Sequence, residues 1–312
     1  MSKHVLLLGA SGTIGRATAD ALLADGHRVT CFLRCAPDMP LNGCETVVGD
    51  ISAMGLEPGH YDAILSCLAS RTGAPKDAWA VEHDLQSLVL SQAQVAGIGQ
   101  FILLSAICVQ KPRLAFQQAK LAFEAKLMTT DLNWSIVRPT AFFKSLSGQI
   151  ERVRSGKPYL VFGDGTLTAC KPISDADLGR FLSSCLTDPA KTRRVLPIGG
   201  PGPALTPLDQ GKTLFEAFEL TPKFRHVPIA VMRAIIGGLS LAGVVSNRAR
   251  EKAELARIGH YYATESMLVW DESSQRYSAA LTPEFGEDTL RDHFEKAKRG
   301  EITDNRGAHA VF

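Results

Sequence analysis

Gly9-Ala10-Ser11-Gly12-Thr13-Ile14-Gly15 follows the apolar run Val5-Leu6-Leu7-Leu8 directly and leads into a helical pattern that starts at Thr13. The three glycines have separate tasks between a buried strand and a helix. Gly9 permits the tight turn, Gly12 lets the backbone approach a pyrophosphate, and Gly15 lets the helix pack closely on the strand. Free N–H groups around Ser11, Thr13 and Ile14 then face an anion. In this context the pattern predicts a bound dinucleotide; without it, the same glycines would mark only a tight turn.

Outward from this loop, short β-branched and leucine-rich runs alternate with longer helical patterns through the first half of the chain. That alternation is the trace of a parallel sheet wrapped by helices. Strands are expected at His4–Leu8, Arg28–Leu33, Glu45–Val48, Ala63–Ser66, 101–105 and 134–137, and helices at 13–25, 76–96 and 113–129. The fold class is therefore α/β, a Rossmann-type doubly wound parallel sheet with a smaller C-terminal substrate lobe. Residues 1–145 form the dinucleotide-binding domain. Residues 146–300 are mostly substrate lobe, with some elements returning to the core, and 301–312 form a polar, flexible tail. Within the lobe, helices are expected at 145–155, 175–186, 248–258 and 288–298, turns at 156–165, a linker or surface loop at 197–207, and strand or extended chain at 261–270.

At 312 residues and 45% hydrophobic content the chain can bury a full core. Its 34 basic and 32 acidic side chains are interspersed, leaving no electrostatic footprint for nucleic acid. Seven cysteines form no C-x-x-C pair, which argues for reduced thiols in a cytoplasm and against an iron–sulfur or zinc site. The apolar run 227–246 is interrupted by Arg233 and carries Gly237, Gly238 and Gly243. It reads either as a helical pair packed in the lobe or as a surface making peripheral membrane contact.

The end of the second strand selects the cofactor. An acid there would bond the adenosine ribose and repel a 2′-phosphate; this chain has Arg34, whose guanidinium can clasp that phosphate, so NADPH is expected over NADH. Asp50 and Ile51 close the third strand beside the expected adenine, and Cys67-Leu68-Ala69 follow the fourth strand beside a ribose. Ser105 and Lys120 are placed to reach the nicotinamide ribose, and Pro139 and Thr140, ending the sixth strand, its carboxamide.

Phe116 and Lys120 stand at the spacing where short-chain dehydrogenases/reductases carry Tyr-x-x-x-Lys, but here the phenol is missing. Hydride addition to a carbonyl builds an alkoxide that needs a nearby proton donor. Phe116 cannot supply one. Hydride addition to an activated C=C bond instead leaves a carbanion that a conjugated system delocalises. Its proton can come from Lys120, Cys108 or a water near Ser105. Phe116 reads either as a stacking surface for a flat substrate or as a core residue.

The runs Leu103-Leu104-Ser105-Ala106-Ile107-Cys108-Val109-Gln110-Lys111-Pro112, Phe116-Gln117-Gln118-Ala119-Lys120, Ser135-Ile136-Val137-Arg138-Pro139-Thr140-Ala141-Phe142-Phe143-Lys144-Ser145-Leu146, Phe162-Gly163-Asp164-Gly165 and Ala169-Cys170-Lys171-Pro172-Ile173-Ser174-Asp175 are more specific than a glycine loop. Together with Tyr261-Tyr262-Ala263-Thr264-Glu265-Ser266-Met267-Leu268-Val269, they resemble the NADPH-dependent 3,8-divinyl (proto)chlorophyllide 8-vinyl reductases, an atypical short-chain reductase branch. The resemblance implies reduction of the C8 vinyl group of a tetrapyrrole to ethyl in (bacterio)chlorophyll biosynthesis. Phe142 and Phe143 are then candidate walls for the macrocycle, or plain core, and Lys144 a candidate partner for its propionate. Asp164 and Asp175 lack the spacing of a calcium loop, and His226 and His260 read as ordinary polar residues, so no metal site is expected. The rival readings are a non-catalytic NADP-binding sensor or assembly protein and an isoflavone-reductase-like alkene reductase.

Overall fold

In a computed structural model that describes residues 1–37, 39–56 and 59–302, the first half alternates as the pattern demands. It runs β1 (His4–Leu8), α1 (Thr13–Ala24), β2 (Arg28–Leu33), β3 (Glu45–Val48), the single turn α2 (Ile51–Met54) and β4 (Ala63–Ser66). Next, α3 (Pro75–Ala78) passes through a π-helical segment, Trp79–Leu85, into α4 (Gln86–Val95). β5 (Gln100–Leu104), α5 (Ala115–Met128) and β6 (Asn133–Pro139) complete this half. The second half contains α6 (Phe143–Leu146), α7 (Ile150–Arg154), β7 (Tyr159–Phe162), α8 (Asp175–Ser184), β8 (Arg194–Ile198), α9 (Pro207–Ala217) and β9 (Phe224–Val227). It ends with α10 (Ile229–Ala242), α11 (Asn247–Thr264), the hairpin β10 (Val269–Asp271) and β11 (Arg276–Ser278), and α12 (Leu290–Lys298).

Seven strands pair in parallel in the order β3-β2-β1-β4-β5-β6-β8. The order reverses between β1 and β4, and a doubly wound sheet opens a ligand crevice at such a reversal. Alternation along β1 fixes both cores. Val5 and Leu7 pack beneath α1 and α8 with Ile14, Leu22, Leu178 and Leu182. Leu6 and Leu8 face the opposite layer with Phe101, Phe123 and Ile136. Each such side chain, fully buried, contributes about 1.5–3 kcal/mol.

β8 occupies the edge, where the missing N–H of Pro197 costs no ladder bond. The stretch 197–207, expected as a loop, thus begins inside the seventh strand. Turns were also expected at 156–165, yet β7 lies there and pairs with β9 beyond the sheet. The lobe has its own core of Phe143, Tyr159, Val161, Leu214, Phe215 and Phe294. Extended chain at 261–270 is corrected as well: α11 continues to Thr264 because Tyr261 is buried as a helical anchor, and only the end of the stretch joins β10. Residues 303–312, most of the expected tail, lie outside the described residues.

Candidate active site

The glycine loop has the shape that close phosphate approach requires. Gly9 adopts φ +78°, and a Cβ there would lie 2.5 Å from the Cys67 carbonyl oxygen. A Cβ on Gly15 would lie 2.2 Å from the Gly9 carbonyl oxygen. Gly12 N–H closes the turn onto Gly9 O at 3.0 Å, and no side chain caps the start of α1. An uncapped helix N-terminus at the mouth of a sheet reversal suits a pyrophosphate. Ser11 is exposed there, and Ile14 is buried behind it.

Around the loop, Arg34 is exposed just past β2. Arg16 on α1 donates to the Met39 carbonyl at 2.9 Å, tying that helix to the segment after Arg34. Asp50 caps α2, accepting from Ser52 Oγ at 2.6 Å and Ser52 N at 2.9 Å; these bonds hold its carboxyl below the ordinary range. Ile51 is buried, Leu68 half-buried and Ala69 exposed. Burial pushes the Cys67 thiol up to about 12. Its sulfur lies 3.9 Å from Thr18 Oγ1.

Phe116 and Lys120 lie one turn apart on α5, hence on one face. Lys120 is 9% exposed, and its Nζ donates to Glu82 Oε2 at 2.8 Å. Glu82 Oε1 accepts from Ser70 N at 2.8 Å and Ser70 Oγ at 3.0 Å. Glu82 sits in the π-helical segment, whose widened turn is a backbone irregularity often found at functional sites. An acid within a long helical pattern gave a sequence signal, but the π register that aims it at Lys120 did not.

Ser105 immediately follows β5, and its hydroxyl donates to Glu124. Glu124 is fully buried and also takes the Arg138 guanidinium. A buried serine, acid and arginine thus lock β5, α5 and β6 together. Cys108 is 2% exposed, and burial raises its thiol pKa. Its sulfur accepts the Tyr262 hydroxyl at 3.9 Å. Pro139 and Thr140 are buried at the end of β6; Thr140 donates through its N–H to Ile198 O and through Oγ1 to Lys171 O.

Three residues expected to meet the substrate also have partners within the protein. Phe143 is 3% exposed and stacks obliquely on His293 inside the lobe core, and Phe142 packs against the Rossmann core and bridges Ile173. Apolar burial encloses Phe143, whereas Phe142 stays half-buried. Lys144 turns to the glycine loop, donating to Thr13 Oγ1 at 2.6 Å. Beside it, burial lifts Asp175 to about 6, while the Lys144 ammonium pulls the other way. Phe116 stays half-buried, in a cluster with Cys108, Tyr261 and Ile258. No group of three or more potential metal ligands occurs among the described residues.

A sequence family described as NAD(P)H-binding matches residues 9–189, more than half of the chain, and the cofactor is accordingly a nicotinamide dinucleotide. The loop geometry fits that group. Among solved structures, MoeE5 in complex with UDP-glucose and NAD superimposes with a TM-score of 0.69 at 16% identity, covering 96% of this chain and 100% of that one, which speaks to the fold. The chloroplastic divinyl chlorophyllide a 8-vinyl-reductase of Oryza sativa subsp. indica is 44% identical, covering 99% of this chain and 82% of the relative. The Arabidopsis thaliana enzyme of the same name is 43% identical, covering 95% and 77%. Similarity of this extent over nearly the whole chain makes the protein a member of the divinyl chlorophyllide a 8-vinyl-reductase family.

Proposed function

We propose that this protein reduces the C8 vinyl group of a divinyl chlorophyllide to ethyl, drawing its electrons from NADPH. The observation that carries the reading is a glycine loop shaped for a dinucleotide together with an α5 in which Lys120 is kept while Phe116 stands in the place of a phenol. Such a site suits an acceptor that can hold negative charge without an immediate proton at oxygen. A vinyl group conjugated with a tetrapyrrole is one.

When bound, the nicotinamide supplies a hydride to the terminal vinyl carbon. The glycine loop and the start of α1 hold the pyrophosphate. Lys144, close by on Thr13, adds positive charge there. Exposed Arg34 takes the 2′-phosphate that distinguishes NADPH. Lys120 has three donors; one goes to Glu82, leaving the others for the ribose hydroxyls. Phe116 offers its ring to the flat pigment, and the Ser105–Glu124–Arg138 cluster fixes the strand ends beneath it.

The pigment is itself apolar, and α10 offers a matching surface. Val231, Ile235, Leu241, Val244 and Val245 are exposed along α10 and the turn after it, with exposed Arg225, Arg233, Arg248 and Arg250 around them. No described helix is long and apolar enough to cross a membrane. An apolar face fringed by arginines fits shallow contact with an anionic bilayer, where such a substrate would partition.

Purified protein mixed with divinyl chlorophyllide and NADPH tests the reading. A blue shift of the Soret band matched by loss of NADPH absorbance is the expected result. A bound cofactor that is never consumed would favour a sensor or assembly role instead.

A further inference from the structure

α5 carries no phenol, but α11 carries two. We infer that Tyr262, on α11, is the proton donor that completes reduction of the vinyl group, an assignment that rests on the function proposed above. The residue is 42% exposed, and its hydroxyl donates inward to Cys108 Sγ at 3.9 Å. Cys108 belongs to the buried cluster on which Phe116 packs, so the phenol stands beside the ring that occupies the tyrosine position of α5. Ile258 is one helical turn before Tyr262 on the same face of α11. A Cβ placed on Gly73 would lie 2.7 Å from Ile258 Cδ1 and 3.8 Å from Phe116 Cδ1, so this face of α11 closes over Phe116.

The other candidate donors are committed elsewhere. Tyr261 donates its hydroxyl to the carbonyls of Cys108 at 2.9 Å and Lys111 at 3.0 Å, pinning α11 to the Rossmann domain. Lys120 is bound to Glu82, and Cys108 is 2% exposed where Tyr262 is an exposed residue. Tyr262 instead gives its hydroxyl to a weak acceptor, a thiol sulfur, in a residue that is itself exposed. Its surroundings raise the phenol pKa, chiefly through burial of the hydroxyl, so it is protonated throughout the neutral range. A carbanion is basic enough to take a proton from such a phenol.

The step balances. Once the terminal vinyl carbon has gained hydride, the π pair resides on the inner carbon and the macrocycle. The Tyr262 O–H bond breaks, a C–H bond forms at the inner carbon, and a solvent proton restores the phenol. The sum is vinyl plus NADPH plus H⁺ to ethyl plus NADP⁺.

Wild-type protein and Tyr262→Phe are compared in D2O with divinyl chlorophyllide and NADPH, with NADPH binding followed separately by fluorescence. The wild type should place solvent deuterium at the inner carbon with one handedness. Tyr262→Phe should bind NADPH as before, reduce the pigment about 100-fold more slowly, and lose that handedness in the residual product. Equal rates with unchanged stereochemistry in the variant would overturn the assignment, as would a racemic inner carbon from the wild type, a result that needs no variant. Failure of the wild type to reduce the pigment at all would instead sink the underlying function.

Discussion

At the scale of single residues, Lys120 cannot be removed without consequence for the fold. Its ammonium is the partner of Glu82 in a buried pair, and breaking such a pair by deleting one member costs about 3–5 kcal/mol. Lys120→Ala is therefore expected to abolish turnover and to lower Tm. Lys120→Met combined with Glu82→Gln should recover most of the stability but none of the turnover, which chemical denaturation and the Soret assay would separate. Arg34→Asp should weaken NADPH far more than NADH. Unchanged relative affinities for the two cofactors in titrations would remove Arg34 from the 2′-phosphate. Asp175 bears on stability against pH. Its native pKa, about 6, lies above the ordinary 3.8, so the neutral acid's contribution is full below the unfolded value and lost as pH rises through the native one. That loss amounts to about 3 kcal/mol. The start of α8 favours the charge by only about 1 kcal/mol. Asp175→Asn should accordingly raise Tm near pH 8 and leave it unchanged near pH 3; equal Tm values at both pH would refute this.

At the scale of elements, legibility in the sequence followed how local the signal was. β1, the glycine loop and β2 were readable because strand burial, turn and helix start fall within one short stretch. β8 was hidden by Pro197, which looks like a breaker until the strand is known to lie at an edge. Phe142 and Phe143 looked like binding-site aromatics; Phe143 also belongs to the lobe core and half-buried Phe142 packs against the Rossmann core, with partners from distant segments. Glu82 was missed because a π-helical register cannot be read from periodicity. Tyr262 was missed because its partner, Cys108, is far away in sequence. α10 supports a prediction of its own. It packs on α11 and leaves Val231, Ile235 and Leu241 exposed. Replacing Ile235 and Leu241 together by Asp should abolish co-flotation with phosphatidylglycerol vesicles, while melting changes little because neither side chain is in a core. Flotation equal to wild type would reject the lipid contact.

At the scale of the whole molecule, the Rossmann sheet supplies a crevice and the C-terminal segments close it. α11 is fastened by Tyr261 to the carbonyls after β5. The chain around β10 is fastened by Gln110, which donates to Leu268 O at 2.6 Å and accepts from Trp270 N at 2.8 Å. Lys111 lies over the Trp270 ring at 3.0 Å from its centre. The cofactor domain and the cover are thus joined at the segment between Ser105 and Lys120, the same one that carries the expected chemistry. The decisive event is transfer of hydride from a nicotinamide to a conjugated vinyl group in a site lacking a phenol on α5. Its most direct test is to supply NADPH deuterated at the transferable C4 position with divinyl chlorophyllide and to locate the label by NMR. One deuterium is expected in the terminal methyl of the new ethyl group. Reduced pigment without label, or label found instead at a carbinol carbon, would contradict it.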